Sequence, residues 1–183
     1  MIIEKTKLKD CLIIKPRIFK DERGSFMETF RLNILEEVLG REIKFVQDNQ
    51  STSYYGSIRG LHLQVGEKSQ AKLVRVVKGE VLDVVVDLRP DSPTFKQKFS
   101  YHLNDKNNHQ LFVPKGCAHG FACLSEEVIF AYKCDTYYDK NAERGIYFAD
   151  KNLNIDWKIP EKDRIISEKD ASNPSLSEFL EEI

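Results

Sequence analysis

Two alternating runs rich in β-branched residues, 71–77 and 80–88, meet at Lys78-Gly79. Period-two patterning on both sides of a glycine-containing turn reads as a tight antiparallel hairpin. Further strand-like runs lie close by, at about 58–64, 95–103, 109–113, 118–124 and 127–136. Polar and turn-forming stretches separate them: Arg89-Pro90-Asp91-Ser92-Pro93, residues 104–108, Pro114-Lys115-Gly116 and residues 125–127. Many short strands with few helices imply an antiparallel sandwich or barrel.

The flanking segments are less regular. Residues 1–16 read as one or two short strands, anchored by Ile2-Ile3 and by 12–14, with Pro16 ending the second. Asp21-Glu22-Arg23-Gly24 has turn chemistry, and Phe26-Met27-Glu28-Thr29-Phe30 alternates like a strand. Leu32, Ile34, Leu35 and Val38 fit one face of a short helix over 31–39, with Gly40 just past its end. A strand begins at 45–49, and 51–56 reads as a polar loop with two tyrosines. Towards the other end, 146–148 has the pattern of one more short strand and 150–157 of a turn. Asn173-Pro174 fits an N-cap and first helical residue, with Leu176, Phe179, Leu180 and Ile183 on one apolar face. The helices are expected on the outside of the core or against a partner. With no linker and no internal repeat, one domain is expected over 1–183.

Charge and length narrow the function classes. A chain of 183 residues fits a single domain with a sizeable core. The net charge is -1 with both signs interspersed, which argues against a nucleic-acid footprint but leaves room for a small anionic ligand. No apolar run approaches bilayer-crossing length, and the first residues carry no apolar core of signal-peptide length, so a cytoplasmic protein with no membrane partner is expected. Cys11, Cys117, Cys123 and Cys134 form no CxxC pair and read as reduced core or wall residues.

Four histidines are present, and His62 and His119 stand out from His102 and His109. Each lies in a strand-like run beside a glycine, at Arg59-Gly60 and at His119-Gly120. Taken singly, either fits a half-buried, hydrogen-bonded histidine. Lys72, Arg59, Tyr132 and several carboxylates on neighbouring strands add chemistry around them. A metal centre fits poorly, because Gln64 stands where a second histidine of a His-x-His pair would be. General acid–base chemistry remains: an imidazole oriented by a carboxylate, a cation facing developing oxyanion charge, and a tyrosine able to exchange a proton. That inventory suits proton abstraction beside a carbonyl, an enolate, and epimerisation or isomerisation. A ligand-binding barrel without catalysis is the competing reading.

Several segments together resemble the dTDP-4-dehydrorhamnose 3,5-epimerase family, a metal-independent branch of cupin-like sugar-modifying enzymes. They are Arg23-Gly24-Ser25-Phe26-Met27-Glu28-Thr29-Phe30, Phe45-Val46-Gln47-Asp48-Asn49, Ile58-Arg59-Gly60-Leu61-His62-Leu63-Gln64 and Lys72-Leu73-Val74-Arg75-Val76-Val77-Lys78-Gly79. Asp83 to Asp87, Pro114-Lys115-Gly116-Cys117-Ala118-His119-Gly120-Phe121, Tyr132-Lys133 and Ser167-Glu168-Lys169-Asp170 complete the match, in the family's order. The resemblance implies an all-β, cupin-like jelly-roll β-barrel with short peripheral helices. It implies a homodimer that exchanges N-terminal strands, and no cofactor.

The implied reaction epimerises C3 and C5 of dTDP-4-dehydro-6-deoxy-D-glucose to give dTDP-4-dehydro-L-rhamnose. In that scheme His62 is the base, Asp170 its partner carboxylate, Lys72 the cation facing the C4 oxygen, and Tyr132 the acid on the opposite face. Arg23 and Arg59 would contact the diphosphate. His119 would contact sugar or diphosphate, and Tyr138 would form pocket wall. Phe26, Glu28, Gln47 and Asn49 would surround the nucleotide, some of them supplied by the neighbouring subunit. Asp83 reads either as an orienting group for a catalytic histidine or lysine or as a structural carboxylate. A mono-epimerase of a related nucleotide-linked 4-keto-6-deoxysugar, a non-catalytic nucleotide-sugar-binding barrel and a metal-dependent cupin oxygenase are the alternatives.

Overall fold

A computed structural model describes residues 1–182. In chain order it forms β1 (Ile2–Lys5), β2 (Leu12–Lys15), β3 (Ile18–Asp21), β4 (Gly24–Met27), α1 (Leu32–Leu39), β5 (Gln47–Tyr54) and β6 (Ile58–Gln64). There follow β7 (Lys72–Lys78), β8 (Glu80–Asp87), β9 (Lys98–Asn104), β10 (Gln110–Val113), β11 (Cys117–Cys123), β12 (Glu127–Cys134), β13 (Glu143–Gly145), α2 (Glu168–Ala171) and α3 (Leu176–Glu181). Among these elements no helix is long and apolar enough to cross a membrane.

The Lys78-Gly79 turn reverses the chain but makes no hairpin. β7 lies in a six-stranded sheet, β1-β2-β10-β7-β12-β5, whereas β8 lies in a five-stranded sheet, β13-β6-β11-β8-β9. The turn is a corner between sheets. Gly79 takes φ 85, and a Cβ there would come 2.3 Å from the Glu127 carbonyl oxygen, so the corner requires glycine. From β5 onward most successive strands change sheet. Strand neighbours are therefore distant in sequence: β12 lies between β5 and β7, and β11 lies between β6 and β8.

The expected closed jelly-roll barrel does not form. Both sheets are open, with β1 and β5 as edges of one and β13 and β9 as edges of the other. Closure needs edge strands to bond to one another, and no ladder links the two sheets among the described residues. They face each other across an apolar layer of Val74, Val76, Val81, Leu103, Leu111, Phe121 and Phe130. On the outside of the five-stranded sheet, Leu61, Leu63, Leu82, Val84 and Val86 are covered by Phe148, Trp157, Leu176 and Phe179. On the outside of the six-stranded sheet, Leu12, Ile14, Leu73 and Phe112 meet Leu35 of α1 and Ile43. Each sheet thus buries two faces, which explains why several strands read as nearly continuous apolar runs.

Several local expectations change. β5 runs through the stretch expected as a polar loop at 51–56, ending at Tyr54. Its inward face is polar because it lines a cavity rather than the core. The expected strand over 26–30 lies earlier, as β4, and pairs with β3 in a two-stranded ribbon. The strand expected at 146–148 is β13 at Glu143–Gly145 instead, while Ile146 and Phe148 pack into the outer cluster. The N-cap of α3 is Ser175 rather than Asn173, and Leu176 rather than Pro174 is its first helical residue, since Ser175 and Glu178 form a reciprocal capping box. Ile183, expected on that helix's apolar face, lies outside the described residues.

Candidate active site

A polar cavity of about 390 Å³ opens between the two sheets. Asn49, Lys72 and Tyr132 reach it from the six-stranded sheet, Arg59, His62 and His119 from the five-stranded sheet, and Asp170 from α2. These are seven of the side chains expected at the site from the sequence.

The local structure of β6 explains how Arg59 and His62 share one face. On a regular strand, residues three apart point to opposite faces. Here His119 of β11 pairs with His62 while Phe121 pairs with Arg59, so β6 carries an extra residue between the two pairs. This bulge returns both side chains to the inner face. It needs Gly60, whose φ is 117 and whose Cβ would lie 2.6 Å from the Gly120 Cα. The Arg-Gly-Leu-His motif therefore encodes geometry as well as chemistry.

His62 Nε2 lies 2.7 Å from Asp170 Oδ1. The other carboxylate oxygen accepts the Gly60 backbone N–H at 3.2 Å. Ser167 caps the single turn of α2 by accepting the Asp170 N–H at 3.1 Å. Burial alone would raise the Asp170 carboxyl, but the His62 and Gly60 hydrogen bonds outweigh it and hold it below the ordinary range. Asp170 is buried, whereas His62 keeps 26 % of its side chain exposed towards the cavity. With Nε2–H given to the carboxylate, Nδ1 is left as the basic nitrogen.

The remaining cavity groups divide between the sheets. Burial lowers the Lys72 ammonium from its usual value and raises the Tyr132 phenol. Arg59 Nε donates to Ser53 Oγ at 2.9 Å, which leaves its terminal nitrogens to face an anion. His119 Nε2 sits between both oxygens of Asp83, at 3.0 and 2.9 Å, with both residues buried. Asp83 is therefore the carboxylate partner of His119. Gln64 points elsewhere: its amide clasps the backbone N–H and carbonyl of Asp139. Among the described residues, no three His, Cys, Asp or Glu side chains gather as a metal-binding group.

Other expected site residues border the cavity or lie away from it. Gln47 donates to Asn49 Oδ1 at 3.0 Å and accepts the Tyr138 N–H at 2.9 Å. Arg23 is tied to Asp21 on the exposed ribbon, Phe26 is 70 % exposed there, and Glu28 pairs with Arg31. None of these three lines this chain's own cavity. Sequence reasoning missed Ser53, which the polar alternation Gln47, Asn49, Ser51, Ser53 marks once β5 is recognised. It also missed Glu143, for which no local signal exists. A larger hollow of about 600 Å³ lies at the far end of β6 and β8, against Phe179, and holds none of the expected catalytic side chains.

An oriented imidazole, a half-buried lysine and a phenol around a polar cavity between two β-sheets fit an isomerase-type enzyme that works by proton transfer. The family profile described as dTDP-4-dehydrorhamnose 3,5-epimerase matches residues 5–178. The chain is 48 % identical to the dTDP-4-dehydrorhamnose 3,5-epimerase of Shigella flexneri over 172 residues, covering 94 % of each. The crystal structure of dTDP-4-dehydrorhamnose 3,5-epimerase from Elizabethkingia anophelis NUHP1 superposes with a TM-score of 0.94 at 50 % identity, covering 97 % of both chains. The dTDP-6-deoxy-D-glucose-3,5-epimerase of Legionella pneumophila Philadelphia 1, solved with dTDP-4-keto-L-rhamnose, superposes with a TM-score of 0.91 at 45 % identity, covering 96 % of this chain and 93 % of that one. This chain belongs to the dTDP-4-dehydrorhamnose 3,5-epimerase family.

Proposed function

We propose that His62, Asp170, Lys72 and Tyr132 carry out the family's reaction in this protein. The substrate is dTDP-4-dehydro-6-deoxy-D-glucose, and inversion at C3 and C5 gives dTDP-4-dehydro-L-rhamnose. The observation that carries the assignment of roles is the His62–Asp170 pair at 2.7 Å beside Lys72 and Tyr132 in one cavity.

The C4 carbonyl acidifies the hydrogens on C3 and C5. His62 Nδ1 removes one of them while the Asp170 carboxylate stabilises the imidazolium that forms. Electron density moves onto the C4 oxygen. Lys72 faces that oxygen, and its attraction grows as the charge develops, so it favours the enolate over the ketone. Burial eases the Lys72 proton towards the enolate oxygen. Tyr132 then gives a proton to the opposite face of the carbon and inverts it. Burial keeps the phenol neutral and ready for that acid role. His62 then releases its proton to solvent and Tyr132 takes one up, which resets both groups, and the sequence repeats at the second carbon while Arg59 holds the diphosphate throughout.

The ribbon of β3 and β4 supports a homodimer with exchanged N-terminal strands. Phe19 and Phe26 are exposed on it, and Arg23, Phe26 and Glu28 have no place at their own cavity, so they serve a neighbour's. We read the chain as one cupin-like epimerase domain over 1–183, acting in the cytoplasm without metal or cofactor. Incubating the protein with dTDP-4-keto-6-deoxyglucose in heavy water tests the reaction. Solvent hydrogen is expected at both C3 and C5. Exchange at one carbon only would make the protein a mono-epimerase, and exchange at neither would overturn the reading. Mixing inactive Arg23→Ala and His62→Ala proteins tests the dimer: activity returns only if one subunit completes the other's site.

A further inference from the structure

Asp170 sits on α2, a helix of one turn whose hold on the sheet decides where the carboxylate points. Besides Asp170 itself, the side-chain bond from α2 to the sheet is made by Lys169, which donates to Glu143 Oε2 on the edge strand β13. The same oxygen accepts the Tyr138 hydroxyl at 2.9 Å. β13 pairs with β6, setting Gly145 opposite His62 and Glu143 opposite Gln64. One carboxylate therefore joins the base's strand, the base's partner helix and the wall loop bearing Tyr138. We propose that Glu143 is a positioning residue for the epimerase reaction, orienting Asp170 through Lys169 and adding a second negative charge beside His62.

The electrostatics agree with the geometry. Burial alone would raise the Glu143 carboxyl, but Lys169, Tyr138 and the positive form of His62 together hold it low. The charge is thus present at neutral pH. His62 shares the cavity with Asp170 and Lys169 of α2, His119 of β11, Lys72 of β7, Tyr132 of β12 and Arg59 of its own strand, and Glu143 of β13 is close enough for the positive form of His62 to act on it. Within that set Glu143 and Lys169 oppose each other in charge and both stand outside the reacting atoms, so their effects on the base have opposite signs.

The test is the pH profile of kcat/KM for Glu143→Gln and Lys169→Met. It rests on His62 being the base, whose protonation sets the acid limb. Glu143→Gln removes a negative charge and is expected to move that limb down by about half a pH unit, a shift of the size that one partly screened charge produces. Lys169→Met removes the opposing positive charge and is expected to move the limb up. Glu143→Ala also loses the clasp and is expected to lower kcat on the order of tenfold, with Glu143→Gln restoring most of it. Limbs that stay fixed, or move in the same direction in both variants, would overturn the proposal. A His62→Asn control that still exchanges solvent hydrogen at the parent rate would overturn the base assignment instead, so the two failures are distinguishable.

Discussion

Two histidine–aspartate pairs face the same cavity from adjoining strands, and they differ in access. His62 and His119 are register partners across β6 and β11. His62 is bound through one Asp170 oxygen, while the second oxygen is held by the Gly60 N–H. His119 is clamped by both oxygens of Asp83 on the neighbouring strand β8, and both residues are buried. His119 also stacks on the core ring of Phe130, with ring centroids 6.1 Å apart. A histidine–carboxylate pair alone therefore does not mark the base. What distinguishes His62 is a partner on a separate one-turn helix and a ring edge open to the cavity.

The largest difference should come from neutralising the two carboxylates in turn. Asp170→Asn removes the group that supports the imidazolium and is expected to cost about a hundredfold or more in kcat. Asp83→Asn leaves His62 intact. It is expected to act mainly on KM and thermal stability, because a buried histidine loses its partner. Equal losses of kcat in the two variants would erase the distinction between the pairs. Lys72→Met is expected to lose most activity and to remove the basic limb of the profile. In the parent that limb falls below the ordinary lysine value of 10.5, since burial lowers the Lys72 ammonium.

The smallest effect on turnover belongs to a carboxylate outside the cavity. Burial alone would raise Asp87, but donors from Arg89, Ser92 and Thr94 outweigh it and bring it to about 2. A carboxyl depressed in the folded state stabilises it above the unfolded pKa and loses that contribution as pH falls through the folded value. Asp87→Asn is thus expected to cost about 2 kcal/mol at pH 7, with the difference shrinking between pH ~4 and ~2 and kcat per folded molecule unchanged. Thermal melts of both proteins across that range check the sign.

Strand positions were legible in the sequence where alternation was apolar. The runs at 58–64 and 80–88 coincide with β6 and β8 to within a residue. Strand partners were not legible. Lys78-Gly79 marks a reversal, but whether the next strand joins the same sheet depends on contacts with Glu127 and Ser125, far along the chain. The same limit applied to closure, since open and closed arrangements share one alternation pattern. The polar face of β5 lines the cavity, which leaves no apolar period to mark its second half as a strand. At the site, His62, Lys72 and Tyr132 stand in recognisable motifs. The pairing with Asp170 spans 108 residues and followed only from the family resemblance. Glu143 acts through Lys169 and Tyr138, a relationship that exists only once β13 lies beside β6.

The central proposal is that His62, and not His119, moves the substrate protons. Solvent exchange at C3 and C5 of dTDP-4-keto-6-deoxyglucose in heavy water, measured for His62→Asn and His119→Asn side by side, tests it most directly. Exchange is expected to vanish at both carbons in His62→Asn and to persist, at weaker substrate affinity, in His119→Asn. Exchange at the parent rate in His62→Asn together with its loss in His119→Asn would contradict it.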